Sequence, residues 1–184
     1  MRIVGGRFRG RPLAAPSSEA IRPTSDRLRE TIFNILTHAF DDPVEGARVI
    51  DLFAGTGAMG LEAMSRGAAF ALLVDDSAAA RGLIRENVDR LGLGGTTRLF
   101  RRDATRLGPA GQNGTFSLLF CDPPYGRELA APALVSAAKG GWLQPGTMAI
   151  VEERAGAFEV PAGFEEVDRR QAGETDVTFA RFCG

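Results

Sequence analysis

Between residues 47 and 152 the sequence alternates short apolar runs with stretches of helical periodicity, and this alternation constrains the fold more than any other feature. Such alternation is typical of βαβ units, which build a parallel sheet covered by helices on both faces. The predicted strands are residues 48–52, 70–75, 97–101, 116–122 and 147–152. The predicted helices are residues 59–66, 77–91 and 129–139, with a short turn after Asp103.

Two further β-prone stretches, residues 164–170 and 175–182, follow with only Gly173-Glu174 near their junction. So short a connection favours an antiparallel hairpin added to one edge of the sheet. We therefore predict an α/β, doubly wound domain with a mostly parallel seven-stranded sheet and a C-terminal antiparallel hairpin. Its ligand crevice should lie at the carboxyl ends of the parallel strands.

The segment before the first strand divides into a basic arm and a helix. Residues 1–29 hold seven arginines and two acids, whereas the rest of the chain has six more acids than bases. Residues 1–23 are predicted to form a short basic hairpin or extended arm suited to phosphate contact, and residues 24–184 the main domain. Apolar residues recur at helical spacing from Leu28 to Phe40, with Thr24 or Ser25 as N-cap and Arg29 on another face of the helix.

Composition excludes several classes of protein. A chain of 184 residues that is 44% hydrophobic and nearly balanced in charge is expected to fold as one domain. Cys121, Cys183 and the single histidine, His38, share no metal-ligand or redox spacing, so we expect neither a metal site nor a disulfide. Neither a signal peptide nor an apolar run of the roughly 18 residues that a membrane span requires is present. We expect a cytoplasmic monomer.

A glycine-rich segment follows the first predicted strand. Gly55, Gly57 and Gly60 match G-x-G-x-x-G between a strand and a helix, where backbone amides can approach a nucleotide-like ligand closely. Asp51 lies four residues before Gly55, at a strand end where it could meet a cationic amine. A plain tight turn is the alternative.

Acidic residues also end the next two predicted strands. Asp75 stands twenty residues after Gly55, the place of a carboxylate that holds a ribose diol, and Asp103 could accept from an adenine amino group. Either acid could instead be a simple helix cap. Three acids at consecutive strand ends suit a ligand with a ribose, an adenine and a positive charge.

The fourth predicted strand ends in Asp122-Pro123-Pro124-Tyr125, here called the Asp-Pro-Pro-Tyr tetrad. The proline rings fix the backbone and remove amide donors, which leaves a carbonyl oxygen to accept hydrogen bonds. If Asp122 and the Pro123 carbonyl accept the two hydrogens of a nucleobase amine, its lone pair can be aimed at an electrophilic methyl group while Tyr125 stacks on the base.

These segments resemble a known family. The Asp51-Leu52-Phe53-Ala54-Gly55-Thr56-Gly57 segment, the tetrad, and the stretch from Arg22-Pro23-Thr24 to Asn34 are similar to the bacterial small-subunit (16S) ribosomal RNA guanine-N2 methyltransferases, the RsmD family. The first two motifs occur in many S-adenosylmethionine-dependent amino-methyltransferases. The arginine-rich arm and the Arg-Pro-Thr helix start point to this particular family, and the resemblance covers nearly the whole chain.

The resemblance implies a class I S-adenosylmethionine-dependent methyltransferase (Rossmann-like) fold with a short basic N-terminal extension. It implies S-adenosylmethionine as methyl donor and a guanine of small-subunit ribosomal RNA, free or within a ribosomal particle, as acceptor. Relatives often carry Glu where Asp75 stands, which shortens the reach to the ribose. The implied cofactor residues are Asp51, Phe53, Gly55, Thr56, Gly57, Asp75 and Asp103, and the implied catalytic residues are Asp122, Pro123, Pro124 and Tyr125.

The basic residues Arg7, Arg9, Arg11, Arg22 and Arg27 are predicted to contact RNA. If the arm is extended, Arg7, Arg9 and Arg11 share one face and form a row suited to backbone phosphates. A solvated charged tail is the alternative.

Three rival functions remain open at this point. The tetrad would serve equally for adenine N6 in DNA or RNA. The G-x-G-x-x-G segment with Asp75 could belong to a nicotinamide-dependent oxidoreductase, although Asp51 and the tetrad would then be unexplained. The fold could also be kept by a non-catalytic RNA-binding module.

Overall fold

The computed structural model describes residues 1–17 and 23–184. The described helices are α1 (Asp26–Ala39), α2 (Ala58–Ser65), α3 (Ala78–Leu91) and α4 (Ala130–Lys139). The strands are β1 (Arg48–Leu52), β2 (Phe70–Val74), β3 (Thr97–Phe100), β4 (Phe116–Cys121), β5 (Leu143–Arg154), β6 (Phe164–Ala172) and β7 (Thr175–Phe182). A single 3-10 turn, Ala104–Arg106, follows β3, and another, Gly111–Asn113, precedes β4.

The seven strands form one sheet in the order β3-β2-β1-β4-β5-β7-β6. Strands β1 to β5 are parallel to one another, and β7 pairs antiparallel with both β5 and β6. The predicted doubly wound sheet with a C-terminal hairpin is therefore confirmed. The largest difference lies in β5, which extends beyond the predicted residues 147–152 at both ends. Its start at Leu143 pairs with Phe116 of β4, and its end at Arg154 pairs with β7.

Two apolar layers cover the sheet. Helices α1, α2 and α3 bury Ile32, Leu61 and Ile84 against one face, together with Phe120 and Phe179 from the strands. Helix α4 buries Leu134 against the other face beside Trp142. Successive side chains of a strand point to opposite faces, so the central strands need apolar residues at almost every position. Their continuous apolar runs follow from this requirement.

The strand order reverses between β1 and β4, which places a crevice at their carboxyl ends. Leu52, the last residue of β1, pairs with Cys121, the last residue of β4. The residues that follow these two strands are Phe53 and Asp122, so the glycine-rich segment and the Asp-Pro-Pro-Tyr tetrad leave the sheet side by side.

The N-terminal arm folds back on itself and packs on α2. A bridge joins Arg2 to Pro12, and Ile3 and Leu13 are buried in the core. The amide of Arg7 donates to the carbonyl of Ser65 at 2.9 Å. The hairpin alternative of the sequence analysis is therefore the one adopted, and the arm is part of the packed domain. The boundary at residue 23 stays a prediction.

The arm is not extended at Arg7, Arg9 and Arg11, so the condition for a row of these arginines on one face is not met. Residues 7–10 form turns between Gly6 and Gly10, whose φ angles are 77° and 86°. Such positive φ angles, which glycine tolerates, redirect the chain and break the two-residue repeat that would align the three arginines.

Arg29 is also placed differently from the expectation. It is fully buried rather than on a polar face of α1. Its Nε lies 3.5 Å from Oε1 of Glu62, which is also fully buried, and Oε1 of Glu62 accepts from the amide of Val4 at 2.9 Å. This ion pair joins the arm, α1 and α2.

Within residues 1–17 and 23–184, no helix is long and apolar enough to cross a membrane.

Candidate active site

The glycine-rich segment turns sharply between β1 and α2. Phe53, Gly55 and Gly57 all have positive φ angles, of 57°, 60° and 81°. For a phenylalanine this backbone conformation is strained, and strain of this kind is concentrated at functional sites. Gly60 is needed for close packing, since a Cβ there would lie 2.4 Å from Cδ2 of Leu73.

Asp51 lies under this segment at the end of β1 and is 2% exposed. Its Oδ2 accepts a hydrogen bond from the amide of Gly60 at 3.0 Å. Burial, and to a lesser extent the nearby charge of Asp75, raise the pKa of Asp51 to about 7. A positively charged ligand group beside this carboxylate would favour its ionised form. The buried acid therefore fits a cationic ligand.

Asp75 connects the glycine-rich segment to the start of α3. Its Oδ2 accepts from the amide of Gly55 at 3.0 Å, and its Oδ1 accepts from the amide of Ser77 at 2.9 Å. Burial raises the pKa of Asp75 despite these two bonds. The carboxylate is thus held at the crevice; its contact with a ribose stays a prediction.

Asp103 is exposed and lies beyond the end of β3. Its Oδ1 accepts from both the amide and the hydroxyl of Thr105, at 2.9 and 2.7 Å, and thereby caps the 3-10 turn. The two hydrogen bonds from Thr105 lower the pKa of Asp103. Oδ1 of Asp103 therefore serves as a cap, and the contact of Asp103 with adenine stays a prediction.

The Asp-Pro-Pro-Tyr tetrad is fixed at both ends. Asp122 is half-buried, and its Oδ2 accepts from Oγ1 of Thr24 at 2.9 Å. The phenol oxygen of Tyr125 lies 2.5 Å from Oγ1 of Thr175, at the start of β7. The carboxylate and the aromatic ring are therefore anchored to the residues before α1 and to the C-terminal hairpin, respectively.

Thr24 and Glu152 are two neighbours of the tetrad that the sequence patterns do not predict. Oγ1 of Thr24 lies 3.1 Å from Oε2 of Glu152, which is 6% exposed near the end of β5. The sequence suggests Thr24 only as an N-cap, a role that Ser25 fills through its bond with the amide of Leu28. Two features of the sequence could have pointed to these residues. Thr24 belongs to the Arg-Pro-Thr segment, and Glu152 is a further acid at the end of a predicted strand.

The predicted RNA-contacting residues that the structure describes are exposed on the arm and on α1. Arg7, Arg9 and Arg11 are exposed, and the guanidinium carbons of Arg7 and Arg11 lie 4.5 and 5.2 Å from the Phe8 ring centroid. Arg27 is exposed in the first turn of α1. The prediction for Arg22 falls outside the described residues.

The arm is linked to the glycine-rich segment through Asn87, a buried residue of α3. Its Nδ2 donates to the carbonyl of Thr56 at 2.9 Å, and its Oδ1 accepts from the amide of Ala14 at 2.6 Å. The basic surface and the predicted cofactor segment are thus held in a fixed relation.

Among the residues that the structure describes, no three His, Cys, Asp or Glu side chains form a group that could hold a metal ion. Cys121 precedes the tetrad but is buried, and burial raises the pKa of its thiol well above the usual value. This thiol is suited to packing rather than to nucleophilic attack.

Comparisons with known proteins identify relatives of this chain. The family model described as "Conserved hypothetical protein 95" matches residues 1–181. The ribosomal RNA small subunit methyltransferase D of Escherichia coli strain K12 is 38% identical over 178 residues, which cover 95% of this chain and 86% of that protein.

Solved structures share the fold. The yhhF protein of Escherichia coli has a TM-score of 0.83 and is 34% identical, with 100% of this chain and 98% of that chain covered. An RNA methyltransferase from Salinibacter ruber, in complex with S-adenosyl-L-homocysteine, has a TM-score of 0.66 at 12% identity, with 88% of this chain and 94% of that chain covered. At such low identity the second match bears on the fold alone.

The fold is thus the class I, S-adenosylmethionine-dependent methyltransferase fold that the sequence predicts. The family resemblance is confirmed by a model that matches nearly the whole chain and by a relative 38% identical over 95% of it. The chain belongs to the family of ribosomal RNA small subunit methyltransferase D.

Proposed function

We propose that the protein transfers a methyl group from S-adenosylmethionine to the exocyclic N2 amine of a guanine in small-subunit ribosomal RNA. The observation that carries this proposal is the position of the Asp-Pro-Pro-Tyr tetrad directly beside the glycine-rich segment, at the carboxyl ends of β1 and β4. The similarity to ribosomal RNA small subunit methyltransferase D supports ribosomal RNA as the substrate class.

The chain offers a set of groups that match the cofactor. Asp51 suits the positively charged part of the ligand, Asp75 suits the ribose, and Asp103 suits the adenine amino group. Phe53, Thr56 and the two glycines of the turn belong to the segment between β1 and α2, and α2 begins directly after Gly57. When bound, S-adenosylmethionine supplies a methyl group on a positively charged sulfur, which becomes a neutral thioether once the methyl has left.

The tetrad prepares the acceptor. A nucleobase amine is a poor nucleophile because its lone pair is delocalised into the ring. Asp122 and the carbonyl of Pro123 accept its two N–H hydrogens, so the lone pair is directed towards the methyl carbon. Tyr125, held by its contact with Thr175, stacks on the base.

Methyl transfer places positive charge on the amine nitrogen, next to the carboxylate of Asp122. S-adenosylmethionine, held beside the glycine-rich segment, would supply the methyl group to the amine nitrogen and would keep the electron pair of the broken carbon–sulfur bond. The positive charge that develops on nitrogen lies beside Asp122, which stabilises it and accepts the departing proton. The chain needs no metal for these steps, because orientation and this charge contact provide the acceleration.

The basic arm supplies contact with the RNA backbone. Arg7, Arg9 and Arg11 are exposed on one packed hairpin, and Arg27 is exposed on α1 nearby in sequence. Arginine is suited to phosphate because its planar guanidinium donates two parallel hydrogen bonds. We propose that a cytoplasmic monomer uses this surface to hold ribosomal RNA while one guanine enters the crevice.

The test is methyl transfer followed by nucleoside analysis. The purified protein is incubated with labelled S-adenosylmethionine and, in parallel, with naked small-subunit ribosomal RNA, assembled small subunits and duplex DNA. We expect N2-methylguanosine from one of the two ribosomal substrates. N6-methyladenosine, or label in duplex DNA, would show that the acceptor is wrong.

Calorimetry separates the proposal from its other rivals. Heat of binding with S-adenosylmethionine and none with NAD is expected. Heat with NAD alone would favour an oxidoreductase, and RNA binding without any methyl transfer would favour a non-catalytic module.

A further inference from the structure

Thr24 places a buried hydroxyl between two acidic side chains. It is 7% exposed, and its Oγ1 lies 2.9 Å from Oδ2 of Asp122 and 3.1 Å from Oε2 of Glu152. A hydroxyl has one hydrogen to donate, so the two carboxyl groups share it or one of them supplies a hydrogen of its own. Either arrangement confines the hydroxyl between the two acids.

The backbone of Thr24 is held as well. Nη1 of Arg29 donates to the carbonyl of Thr24 at 3.4 Å, and the Oγ of Ser25 accepts from the amide of Leu28 at 3.1 Å. Arg29 is itself fixed by Oδ1 of Asp26 at 2.8 Å and by the buried carboxylate of Glu62. Both the side chain and the backbone carbonyl of Thr24 therefore have hydrogen-bond partners in the folded chain.

We propose that Thr24 is a positioning residue for methyl transfer, whose hydroxyl fixes the orientation of the Asp122 carboxylate towards the acceptor amine. This inference rests on the proposed function, because it takes Asp122 as the group that accepts the amine hydrogens. A carboxylate oxygen can accept more than one hydrogen bond, so the bond from Thr24 leaves Asp122 able to accept from the amine. A bond at Oδ2 limits rotation of the carboxylate, and rate depends steeply on such alignment.

Glu152 completes the arrangement. Its Oε2 approaches the same hydroxyl from the neighbouring strand, since β5 lies beside β4 in the sheet. Glu152 shares the hydroxyl hydrogen with Asp122, and the two carboxyl groups keep Oγ1 of Thr24 between them. The side chains that align Asp122 come from residues 98 positions earlier and about 30 positions later in the chain.

The test compares three variants. Thr24→Val keeps the side-chain shape and removes the hydroxyl, and Thr24→Ser restores a hydroxyl. Thr37→Val makes the same substitution at an exposed position of α1, where the hydroxyl bonds the carbonyl of Phe33, and it serves as the control for the chemical change itself. For each, kcat and KM for the RNA are measured at saturating S-adenosylmethionine, and the Kd of that cofactor is measured by calorimetry.

We expect Thr24→Val to lower kcat about tenfold or more, as for the loss of one hydrogen bond to a charged group. The cofactor Kd and the KM for RNA should stay within about twofold of the wild-type values, because the hydroxyl does not bind either ligand. Thr24→Ser should recover most of kcat, and Thr37→Val should behave as wild type.

Several results would overturn the inference. A kcat of Thr24→Val within about twofold of wild type is one, and equal losses in the Val and Ser variants are another. If Thr24→Val does not fold, Thr24→Ala replaces it; if that variant also fails to fold while Thr37→Val folds, the hydroxyl serves the fold and the inference is wrong.

The same assay distinguishes this inference from the proposed function. A wild-type protein that binds S-adenosylmethionine but methylates no RNA would overturn both. A wild-type protein that methylates RNA, with Thr24→Val equally fast, would overturn only the role of Thr24.

Discussion

Replacing Asp51 by Asn should stabilise the free protein and weaken its binding of S-adenosylmethionine, with a pH dependence that follows from one buried carboxyl group. Burial raises the pKa of Asp51 from its usual 3.8 to about 7, whereas in the unfolded chain the group keeps its ordinary pKa. A difference of one in pKa corresponds to about 1.36 kcal/mol. Ionised Asp51 therefore costs the folded free protein up to about 4 kcal/mol.

The sign of the pH dependence follows from proton uptake. Between pH 4 and pH 7 the folded protein keeps a proton on Asp51 that the unfolded chain has released, so the free energy of unfolding falls as pH rises. Between pH 5 and pH 8 the loss should reach about 3 kcal/mol at most. Asp51→Asn keeps an acceptor for the amide of Gly60 and should lack this loss.

Urea unfolding at several pH values, with no cofactor added, measures this difference. The stability of Asp51→Asn minus that of wild type should grow from pH 5 to pH 7 and level off above pH 8. Over the same range the cofactor Kd of the wild type should fall with rising pH, because a cationic ligand prefers ionised Asp51. A stability difference that does not change with pH would show that Asp51 does not carry a raised pKa in the folded protein.

Two further predictions concern the arm. Replacing Arg7, Arg9 and Arg11 together by Ala should weaken RNA binding and reduce the dependence of the binding constant on salt concentration by up to about three phosphate contacts. Arg181→Ala, at an exposed position of β7, should leave this salt dependence unchanged. An unchanged salt dependence in the triple variant would favour a solvated tail. Gly6→Ala should lower the free energy of unfolding by at least about 1 kcal/mol more than Gly10→Ala, because a Cβ at Gly6 would lie 2.0 Å from the carbonyl oxygen of Ser65 whereas Gly10 faces open space. Equal losses in the two glycine variants, measured by urea unfolding, would contradict the tight packing of the arm.

The fold could be predicted from sequence because its strands are short apolar runs separated by helical periodicity. Most strand ends fall within one or two residues of the prediction, as for Phe116–Cys121 against residues 116–122. In a parallel sheet the carboxyl ends of all strands lie on the same side. Asp51, Asp75 and Asp122 could therefore be placed at that side of the sheet from the sequence alone.

The contacts that the sequence did not reveal depend on side chains that meet only after folding. Thr24 and Glu152 meet only once the start of α1 has packed beside β5, and no local sequence pattern encodes this packing. A polar face is the natural expectation for Arg29 because charged residues are rarely buried, but the buried carboxylate of Glu62 makes its burial possible. The positive φ angles at Gly6 and Gly10 fold the arm into a hairpin, so its arginines do not lie in a row on an extended strand.

In the proposed reaction Asp122 holds the acceptor amine, and single-turnover methyl transfer by Asp122→Ala measures this role. The variant is loaded with labelled S-adenosylmethionine, its cofactor Kd is measured by calorimetry, and the rate of label transfer to small-subunit ribosomal RNA is compared with wild type. We predict nearly unchanged cofactor binding and a transfer rate below about a tenth of the wild-type rate, a loss of roughly 1.4 kcal/mol or more in transition-state stabilisation. A variant with intact cofactor binding that keeps more than this fraction of the rate would contradict the role of Asp122.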